Sequence, residues 1–216
     1  MGAIVLAAGA GNRMGHRPKC LLQLSGKSLL ERQLEALSQT QLAPLLVVLG
    51  HHAERIQQES ALRYWGARVV LNPRPDDGHV SSLRAGLLAL PLDLDAVMVV
   101  LADQPLIDAQ AIDALIQAYV SRPVGTKMLQ PTVQDLPGNP VVFSSEVATQ
   151  ILAEDGQMGA RQWQKAHPDE LYRWKTPDAH YRLDVDNEQD RQTVESLTGQ
   201  TLLWPSDLSR SHTKQT

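Results

Sequence analysis

Cysteine is almost absent from this 216-residue sequence, in which Cys20 stands alone. One cysteine excludes a disulfide within the chain, and a reducing compartment is the usual setting of such a composition. Apolar runs are short, since no stretch approaches the roughly twenty residues that a membrane helix needs, and the N-terminus does not resemble a secretory signal. We therefore expect a cytoplasmic protein with no membrane partner.

Clustered positive charge is also missing. The formal net charge is −4, and the lysines and arginines are scattered or confined to loops. Nucleic-acid surfaces are strongly basic, so we expect no nucleic-acid partner. A chain of this length fits one α/β domain, which we predict over residues 1–198. Residues 199–216, which are mostly polar beyond Trp204, are predicted to form a flexible C-terminal tail.

A glycine-rich loop follows the first apolar run of the sequence, residues 4–8. The loop contains Gly9, Gly11 and Gly15, and it carries Arg13 and Lys19. Glycines permit backbone conformations that direct successive N–H groups at an anion, and the two cations supply full positive charge. This pattern predicts a binding site for the phosphates of a nucleotide.

Two common phosphate-binding motifs do not fit this sequence. The dinucleotide fingerprint requires a third glycine where Met14 stands. A P-loop ending in Gly26-Lys27-Ser28 would require glycine at the position of Leu21. Neither a dehydrogenase nor a P-loop ATPase is supported.

Apolar runs at residues 4–8, 45–49 and 97–101 predict strands that are buried on both faces. Helical apolar stripes lie between and after them, which indicates a three-layer, doubly wound α/β fold with a mostly parallel, Rossmann-like sheet. Predicted strands at residues 128–133 and 140–143 flank a loop that we interpret as a small inserted acceptor-binding lobe. A strand ending near Leu183 and a helix over residues 187–197 complete the prediction.

Ligands of such sheets bind at the carboxyl ends of the strands. Asp103 follows the strand at residues 97–101 by two positions, and the glycine loop follows the first strand, so both can meet at one edge. Asp103 is a candidate Mg²⁺ ligand or an ordinary turn residue before Pro105. Arg17, by contrast, has no glycine context and is expected to be exposed to solvent, while Cys20 is expected to be a buried thiol.

The loop segment from Leu6 to Gly15, followed by Pro18-Lys19, resembles the opening of nucleotidyltransferases that activate sugars, phosphocholine, isoprenoid precursors and molybdopterin. The resemblance is closest to the molybdenum cofactor cytidylyltransferases, because three later segments also match that family: residues 72–78 with 81–87, residues 101–105, and residues 184–186 with Asp190. It covers roughly residues 3 to 198.

This resemblance implies transfer of CMP from CTP to the terminal phosphate of molybdopterin cofactor, with Mg²⁺ as cofactor and release of pyrophosphate. It implies Asp103 as a metal ligand, together with either Asp186 or Asp184, which we rank nearly equally. Arg13, Lys19 and Asp103 are the implied catalytic residues. The implied nucleotide-binding residues are Leu6, Ala7, Ala8, Gly9, Gly11, Arg13, Lys19, Ser81 and Ser82.

The sequence leaves several alternatives open. Ser81 and Ser82 begin a helical stripe and can serve as capping residues instead of nucleotide contacts. Asn12 and residues 18–22 look more like the phosphocholine and sugar enzymes, so a sugar phosphate or phosphocholine is an alternative acceptor. A non-catalytic cofactor carrier is a further alternative. The expected partners are CTP, the molybdenum cofactor and, transiently, a molybdoenzyme or its chaperone.

Overall fold

The computed structural model describes residues 1–154 and 156–208. The strands are β1 (Gly2–Ala7), β2 (Gln23–Leu24), β3 (Lys27–Ser28), β4 (Leu45–Leu49), β5 (Arg68–Leu71), β6 (Ala96–Leu101), β7 (Met128–Val133), β8 (Leu136–Pro137), β9 (Val141–Ser144), β10 (Leu171–Lys175) and β11 (Leu202–Leu203). The α-helices are α1 (Leu29–Ser38), α2 (Ala53–Glu59), α3 (Gly78–Leu88), α4 (Ala109–Val120), α5 (Ser145–Ala153), α6 (Ala160–Ala166) and α7 (Glu188–Thr198). Short 3₁₀ helices include Asn12–Met14, Lys19–Leu21, Pro75–Asp77 and Ala179–Arg182.

The main sheet has the strand order β10-β7-β9-β6-β1-β4-β5, and β8 pairs with β7. β1 runs parallel to β4 and β6, β5 continues parallel to β4, and β10 is parallel to β7. β9 is antiparallel to both β6 and β7. The predicted mostly parallel sheet is therefore confirmed. The antiparallel strand β9 comes from the segment after Pro123.

Helices cover both faces of the sheet, as the sequence predicts. Val5, Val47 and Val100 point toward α1, α2 and α4, whereas their neighbours in the strands point toward α3, α5 and α6. This alternation follows from the two-residue period of a strand. Gly86 brings α3 close to β1, because a Cβ there would lie 2.8 Å from Ile4 Cγ2.

Among the described residues, no helix is both long enough and apolar enough to cross a membrane.

The segment predicted as an inserted lobe is continuous with the main sheet. β7 and β8 form a hairpin whose turn places Gln134 and Asp135 at positive φ, and the chain then returns to the sheet as β9. The prediction of a strand ending near Leu183 is wrong. β10 ends at Lys175, and the Asp178 side chain accepts a hydrogen bond from the His180 N–H at 2.9 Å, which starts a 3₁₀ turn.

The predicted domain boundary at residue 198 is too early. β11 pairs with β2, Leu202 is completely buried, and Trp204 packs on the same cluster, which includes Met14 and Val194. Gly199 ends α7 in the left-handed conformation and turns the chain back toward β2. The flexible tail predicted from residue 199 is thus wrong for residues 199–208, and residues 209–216 lie outside the described part of the chain.

Candidate active site

A cavity of about 600 Å³ opens at the carboxyl ends of β1, β4 and β6. Its walls come from the glycine loop, the turn after β6, the 3₁₀ helix Pro75–Asp77 and the first turn of α3. Two of the predicted site residues, Ser81 and Asp184, are not part of its lining. The other predicted residues line it together: Leu6, Ala7, Ala8, Gly9, Gly11, Arg13, Lys19, Ser82, Asp103 and Asp186.

The glycines of the loop have different roles. Gly11 has φ +66°, and a Cβ there would lie 1.9 Å from the Arg17 carbonyl oxygen, so no other residue fits. The Gly11 carbonyl accepts hydrogen bonds from the N–H groups of Met14 and His16 at 2.8 and 3.0 Å. Gly9 is exposed, and a Cβ there would meet nothing within 4 Å. Gly11 therefore shapes the loop, while Gly9 leaves its backbone open to the cavity.

Lys19 lies between the two candidate metal ligands. Its Nζ donates to Asp103 Oδ2 at 2.6 Å and to Asp186 Oδ1 at 2.5 Å. The side chains of Lys19 and Asp103 are only 17% and 19% exposed, whereas that of Asp186 is 42% exposed. Asp103 and Asp186 are 84 and 167 positions from Lys19 in the sequence, so the fold brings three distant residues together.

Lys19 and Asp186 each stabilise the charged form of the other. Burial acts to lower the pKa of Lys19, but attraction to Asp103 and hydrogen bonds to both carboxylates outweigh it, so the pKa is raised. Burial acts to raise the pKa of Asp186, yet the hydrogen bond and charge of Lys19, helped by Arg13 and His79, hold it below the ordinary value. Lys19 and Asp186 are therefore both charged near neutral pH.

Arg13 extends the positive charge toward the mouth of the cavity. Its guanidinium lies 3.6 Å from Asp186 Oδ2, and the side chain is 73% exposed. This exposure leaves most of its five donors available to an incoming phosphate. Arg13 and Lys19 thus approach Asp186 from the same loop.

Asp184 and Asp186 flank Val185, whose side chain is fully buried and whose N–H donates to the Asp103 carbonyl at 3.0 Å. Asp186 lines the cavity and Asp184 does not. Burial raises the pKa of Asp184, and the negative charges of Asp103 and Asp186 raise it further. Asp190 accepts the N–H groups of Asp186 and Asn187 at 2.9 and 3.0 Å, which is a helix-capping role.

The two serines lie inside α3 and not at its N-cap. The buried Asn72 donates to Ser81 Oγ at 2.9 Å and to Ser82 Oγ at 3.0 Å. The single hydroxyl proton of Ser81 is in turn shared between the Arg74 and Gly78 carbonyls, which lie 2.8 and 2.9 Å from its Oγ. Ser81 therefore holds the turn before α3, and Ser82 is the serine that faces the cavity.

Among the residues that line the cavity, sequence reasoning left three histidines and one aspartate out of the site: His16, His51, Asp76 and His79. His51 Nε2 lies 3.4 Å from Asp76 Oδ1, and the two come from separate loops. His51 follows β4 by two residues, so the carboxyl-end rule that places Asp103 in the site could also have found it. Asp76 and His79 carry no comparable signal, because their turn takes its shape from Asn72.

The turn after Asp103 is tied down by Gln104, which is 1% exposed. Its Nε2 donates to the carbonyls of Asn139 and Tyr181, both at 3.2 Å. Gln33 of α1 donates to the Gln104 carbonyl. These bonds connect the Asp103 turn to α1, to the start of β9 and to the 3₁₀ helix before Asp186.

Two neighbours of Lys19 behave differently from each other. The thiol of Cys20 is 5% exposed, and burial, with a contribution from the Asp103 charge, raises its pKa to about 12. The expected buried thiol is confirmed. The expectation of a solvent-exposed Arg17 is wrong, because its guanidinium stacks 4.0 Å from the ring centre of Trp204.

The donor set at Asp103 and Asp186 fits a hard divalent cation. Mg²⁺ binds through one or two protein carboxylates and completes its coordination with phosphate oxygens and water. Within residues 1–154 and 156–208, no cluster of three or more His, Cys, Asp or Glu side chains has a metal-binding arrangement. The protein therefore offers two carboxylates for a cation that is shared with a phosphate ligand.

The fold and the site together define an α/β nucleotidyltransferase. The sequence profile of the MobA-like NTP transferase domain matches residues 3–171, and the chain belongs to this family. Members of the wider class generally use divalent metals.

Known proteins resemble this chain to different extents. The bifunctional protein GlmU of Mycobacterium ulcerans (strain Agy99) is 39% identical over 140 residues, which are 61% of this chain and 28% of GlmU. The chain therefore spans less than a third of the length of this relative.

Solved structures match over almost the full chain. Rv0371c from Mycobacterium tuberculosis H37Rv is 25% identical with a TM-score of 0.75, covering 90% of this chain and 97% of that one. A further structure of Rv0371c is a complex with manganese, with a TM-score of 0.70 at 23% identity, covering 89% of this chain and 96% of that one. CTP:phosphocholine cytidylyltransferase from Streptococcus pneumoniae has a TM-score of 0.66 at 18% identity, covering 91% and 98%, and shows the same fold.

Proposed function

We propose that this chain transfers CMP from CTP to the terminal phosphate of the molybdenum cofactor and releases pyrophosphate. The observation that carries the proposal is the position of Lys19 between Asp103 and Asp186, beside a glycine-lined cavity of about 600 Å³. The choice of CTP and of this acceptor is supported by the sequence resemblance over residues 72–78 and 81–87, residues 101–105, and residues 184–186 with Asp190.

The reaction needs little covalent chemistry from the protein. An oxygen of the acceptor phosphate forms a bond to the α-phosphorus of CTP, the bond from that phosphorus to the bridging oxygen breaks, and pyrophosphate leaves with the electron pair. A phosphate monoester is already largely ionised near neutral pH, so no general base is required. Catalysis then depends on alignment and on neutralisation of charge.

Arg13 and Lys19 are suited to the β- and γ-phosphates, where negative charge develops as pyrophosphate leaves. The backbone of Gly9 is open to the same space. Asp103 and Asp186 would hold Mg²⁺, which when bound supplies positive charge to the transferring phosphate. When Lys19 turns from the carboxylates to the phosphates, these carboxylates need another cation, so binding of nucleotide and of metal is expected to be coupled.

The nucleoside is assigned to the part of the cavity between the glycine loop and the start of α3. Ser82 and Gly78 line this part, as do His51 and Asp76. Hydroxyl, carboxylate and backbone groups there can bind a ribose or the edge of a base. The preference for cytosine is a proposal that comes from the resemblance alone.

The same site accommodates two alternatives. A cytidylyl- or guanylyltransferase acting on phosphocholine or a sugar phosphate would use the same cations and carboxylates and differ at the acceptor. A carrier that binds the cofactor without chemistry would have no need of the Lys19, Asp103 and Asp186 cluster. Transfer of the product to a molybdoenzyme or its chaperone in the cytoplasm is part of the proposal.

The test is pyrophosphate release by purified protein with Mg²⁺ and either CTP or GTP, each with molybdenum cofactor, phosphocholine, a sugar phosphate or no acceptor. The proposal predicts release with CTP plus molybdenum cofactor and none in the other combinations. Release of pyrophosphate with phosphocholine or a sugar phosphate would show that this compound, and not the molybdenum cofactor, is the acceptor. Binding of the cofactor with no release from either nucleotide would support the carrier.

A further inference from the structure

The segment from β11 to Leu208 packs against the outside of the glycine loop. On one side of Trp204, β11 pairs with β2, which follows the loop directly. On the other side, Asp207 pairs with Arg55 of α2, and Leu208 packs on the core. Trp204 is thus held in a segment that is anchored at both ends. The family match ends at residue 171, well before this segment.

Trp204 contacts the glycine loop through Arg17. The Arg17 guanidinium carbon lies 4.0 Å from the centre of the Trp204 ring. Arg17 Nε also donates to the Met14 carbonyl at 2.8 Å, and Nη1 donates to the Leu208 carbonyl at 3.4 Å. An arginine remains protonated at all physiological pH values and stacks on an indole through both its charge and its plane. Arg17 is therefore held between the loop backbone and the C-terminal segment.

The face of the indole, and not its N–H, makes this contact. Trp204 Nε1 is buried and has no hydrogen-bond partner among the described residues. Trp204 is also absent from the lining of the cavity, so any effect on a nucleotide is indirect.

The position of Arg17 determines the shape of the loop. A Cβ at Gly11 would lie 1.9 Å from the Arg17 carbonyl oxygen, so these two backbone segments are in direct contact. Gly11 in turn closes the turn that contains Arg13, and Lys19 follows Arg17 by two residues. A displacement of Arg17 would therefore move both cations of the site.

We propose that Trp204 is a positioning residue that holds the glycine loop, through Arg17, in the shape that binds a triphosphate. This inference rests on the proposed assignment of the loop to the triphosphate of the nucleotide. It places one requirement for nucleotide binding outside the segment that matches the family.

Calorimetric titration with CTP, and with inorganic tripolyphosphate as a probe of the loop alone, tests this inference. The variants are Trp204→Leu, Trp204→Phe and Arg17→Met, with Leu203→Ala as a control at an exposed position of the same segment. Trp204→Leu is expected to raise both Kd values by about tenfold, which equals about 1.4 kcal/mol. Trp204→Phe should recover most of the affinity because it restores an aromatic face. Leu203→Ala should bind like the wild type.

A double-mutant cycle separates positioning from general packing. In the Arg17→Met background, Trp204→Leu should change the Kd little further, because the contact is already lost. The KM for the acceptor should stay unchanged in each single variant. If Trp204→Leu does not fold, the inference is tested on the other two variants. Trp204→Phe should then bind CTP nearly as tightly as the wild type, and Arg17→Met should bind it more weakly.

Two results would overturn the inference while leaving the proposed function intact. One is wild-type affinity for both probes in Trp204→Leu. The other is a Trp204→Phe variant that binds no better than Trp204→Leu. A wild-type protein that binds neither CTP nor tripolyphosphate would remove the assignment of the loop and this inference with it.

Discussion

Lys19 and Asp103 form a short ion pair, 2.6 Å from Nζ to Oδ2, and the same ammonium contacts Asp186 at 2.5 Å. A protein cation therefore already neutralises part of the charge of the two carboxylates that would hold a metal. The charges of Lys19 and Asp186 are maintained near neutral pH, because the pKa of Lys19 is raised and that of Asp186 is lowered.

Lys19→Met is expected to increase the affinity for Mn²⁺ or Mg²⁺ in the absence of nucleotide. A unit charge a few ångströms away contributes roughly 1 to 4 kcal/mol, so we expect an increase of about tenfold. Electron paramagnetic resonance of free Mn²⁺ measures this affinity directly. Lys27→Met is the control, since Lys27 pairs with Glu35 at an exposed site. An unchanged affinity for Mn²⁺ in Lys19→Met would show that the ammonium does not compete with the metal.

Asp103→Asn and Asp186→Asn are each expected to reduce kcat by about a hundredfold or more, because they remove negative charge from the metal site. Asp184→Asn should lower kcat by less than about fivefold, because Asp184 does not line the cavity. Steady-state pyrophosphate release measures these values, and circular dichroism confirms that each variant is folded. A loss in Asp184→Asn equal to that in Asp186→Asn would assign the second ligand to Asp184.

Asp184→Asn is also expected to raise the thermal stability at pH 7. Burial and two neighbouring carboxylates raise the pKa of Asp184 above its ordinary value of 3.8, so its ionisation destabilises the folded protein at higher pH. The gain in Tm should be full near neutral pH and disappear below about pH 4, where the carboxyl is protonated in both states. Melting curves from pH 3 to pH 7 test this, and a gain that is constant over this range would contradict it.

Alanine substitutions at two loop glycines should separate folding from binding. Gly11→Ala places a Cβ 1.9 Å from the Arg17 carbonyl oxygen at φ +66°, so it should lower the free energy of unfolding by about 1 to 3 kcal/mol. Gly9→Ala meets no atom within 4 Å and should keep wild-type stability. Because Gly9 lines the cavity, Gly9→Ala should weaken CTP binding. Chemical denaturation measures the stability of both variants, and calorimetry measures their affinity for CTP. Unchanged CTP affinity in Gly9→Ala would mean that the nucleotide does not contact the backbone at Gly9.

Cys20 should not react with iodoacetamide in the native protein at pH 8. Burial raises its pKa to about 12 from an ordinary value of 9.0, so roughly one thiol in ten thousand is ionised at that pH. Labelling should proceed only after unfolding, as mass spectrometry can show. Rapid labelling of the native protein would mean that the thiol is accessible in solution.

The elements that the sequence predicts best are those with a strong local pattern. The three apolar runs became β1, β4 and β6, and the stripe of Leu30, Leu34 and Leu37 became α1. The cavity residues of the glycine loop and Asp103 were predicted because each follows directly from a strand end. Local pattern and tertiary position agree at these places.

The rest of the fold and of the site depends on contacts between residues that are distant in the sequence, and no local pattern predicts such contacts. Arg17 looks like a solvated loop cation until Trp204, 187 positions later, covers it. β11 has only two residues and becomes a strand because β2 offers an edge. Asp184 and Asp186 are equivalent in the sequence, and they differ only in the folded chain, where Asp186 contacts Lys19 and lines the cavity and Asp184 does not line it.

The most direct test of the central claim follows the α-phosphate. Purified protein is incubated with Mg²⁺, molybdenum cofactor and CTP labelled with ³²P at the α-position, and the products are separated. We predict that the label moves to the cofactor in equal amount to the unlabelled pyrophosphate released, and that Asp103→Asn abolishes this transfer. Label that stays in CTP, with cofactor bound and no pyrophosphate formed, would contradict it.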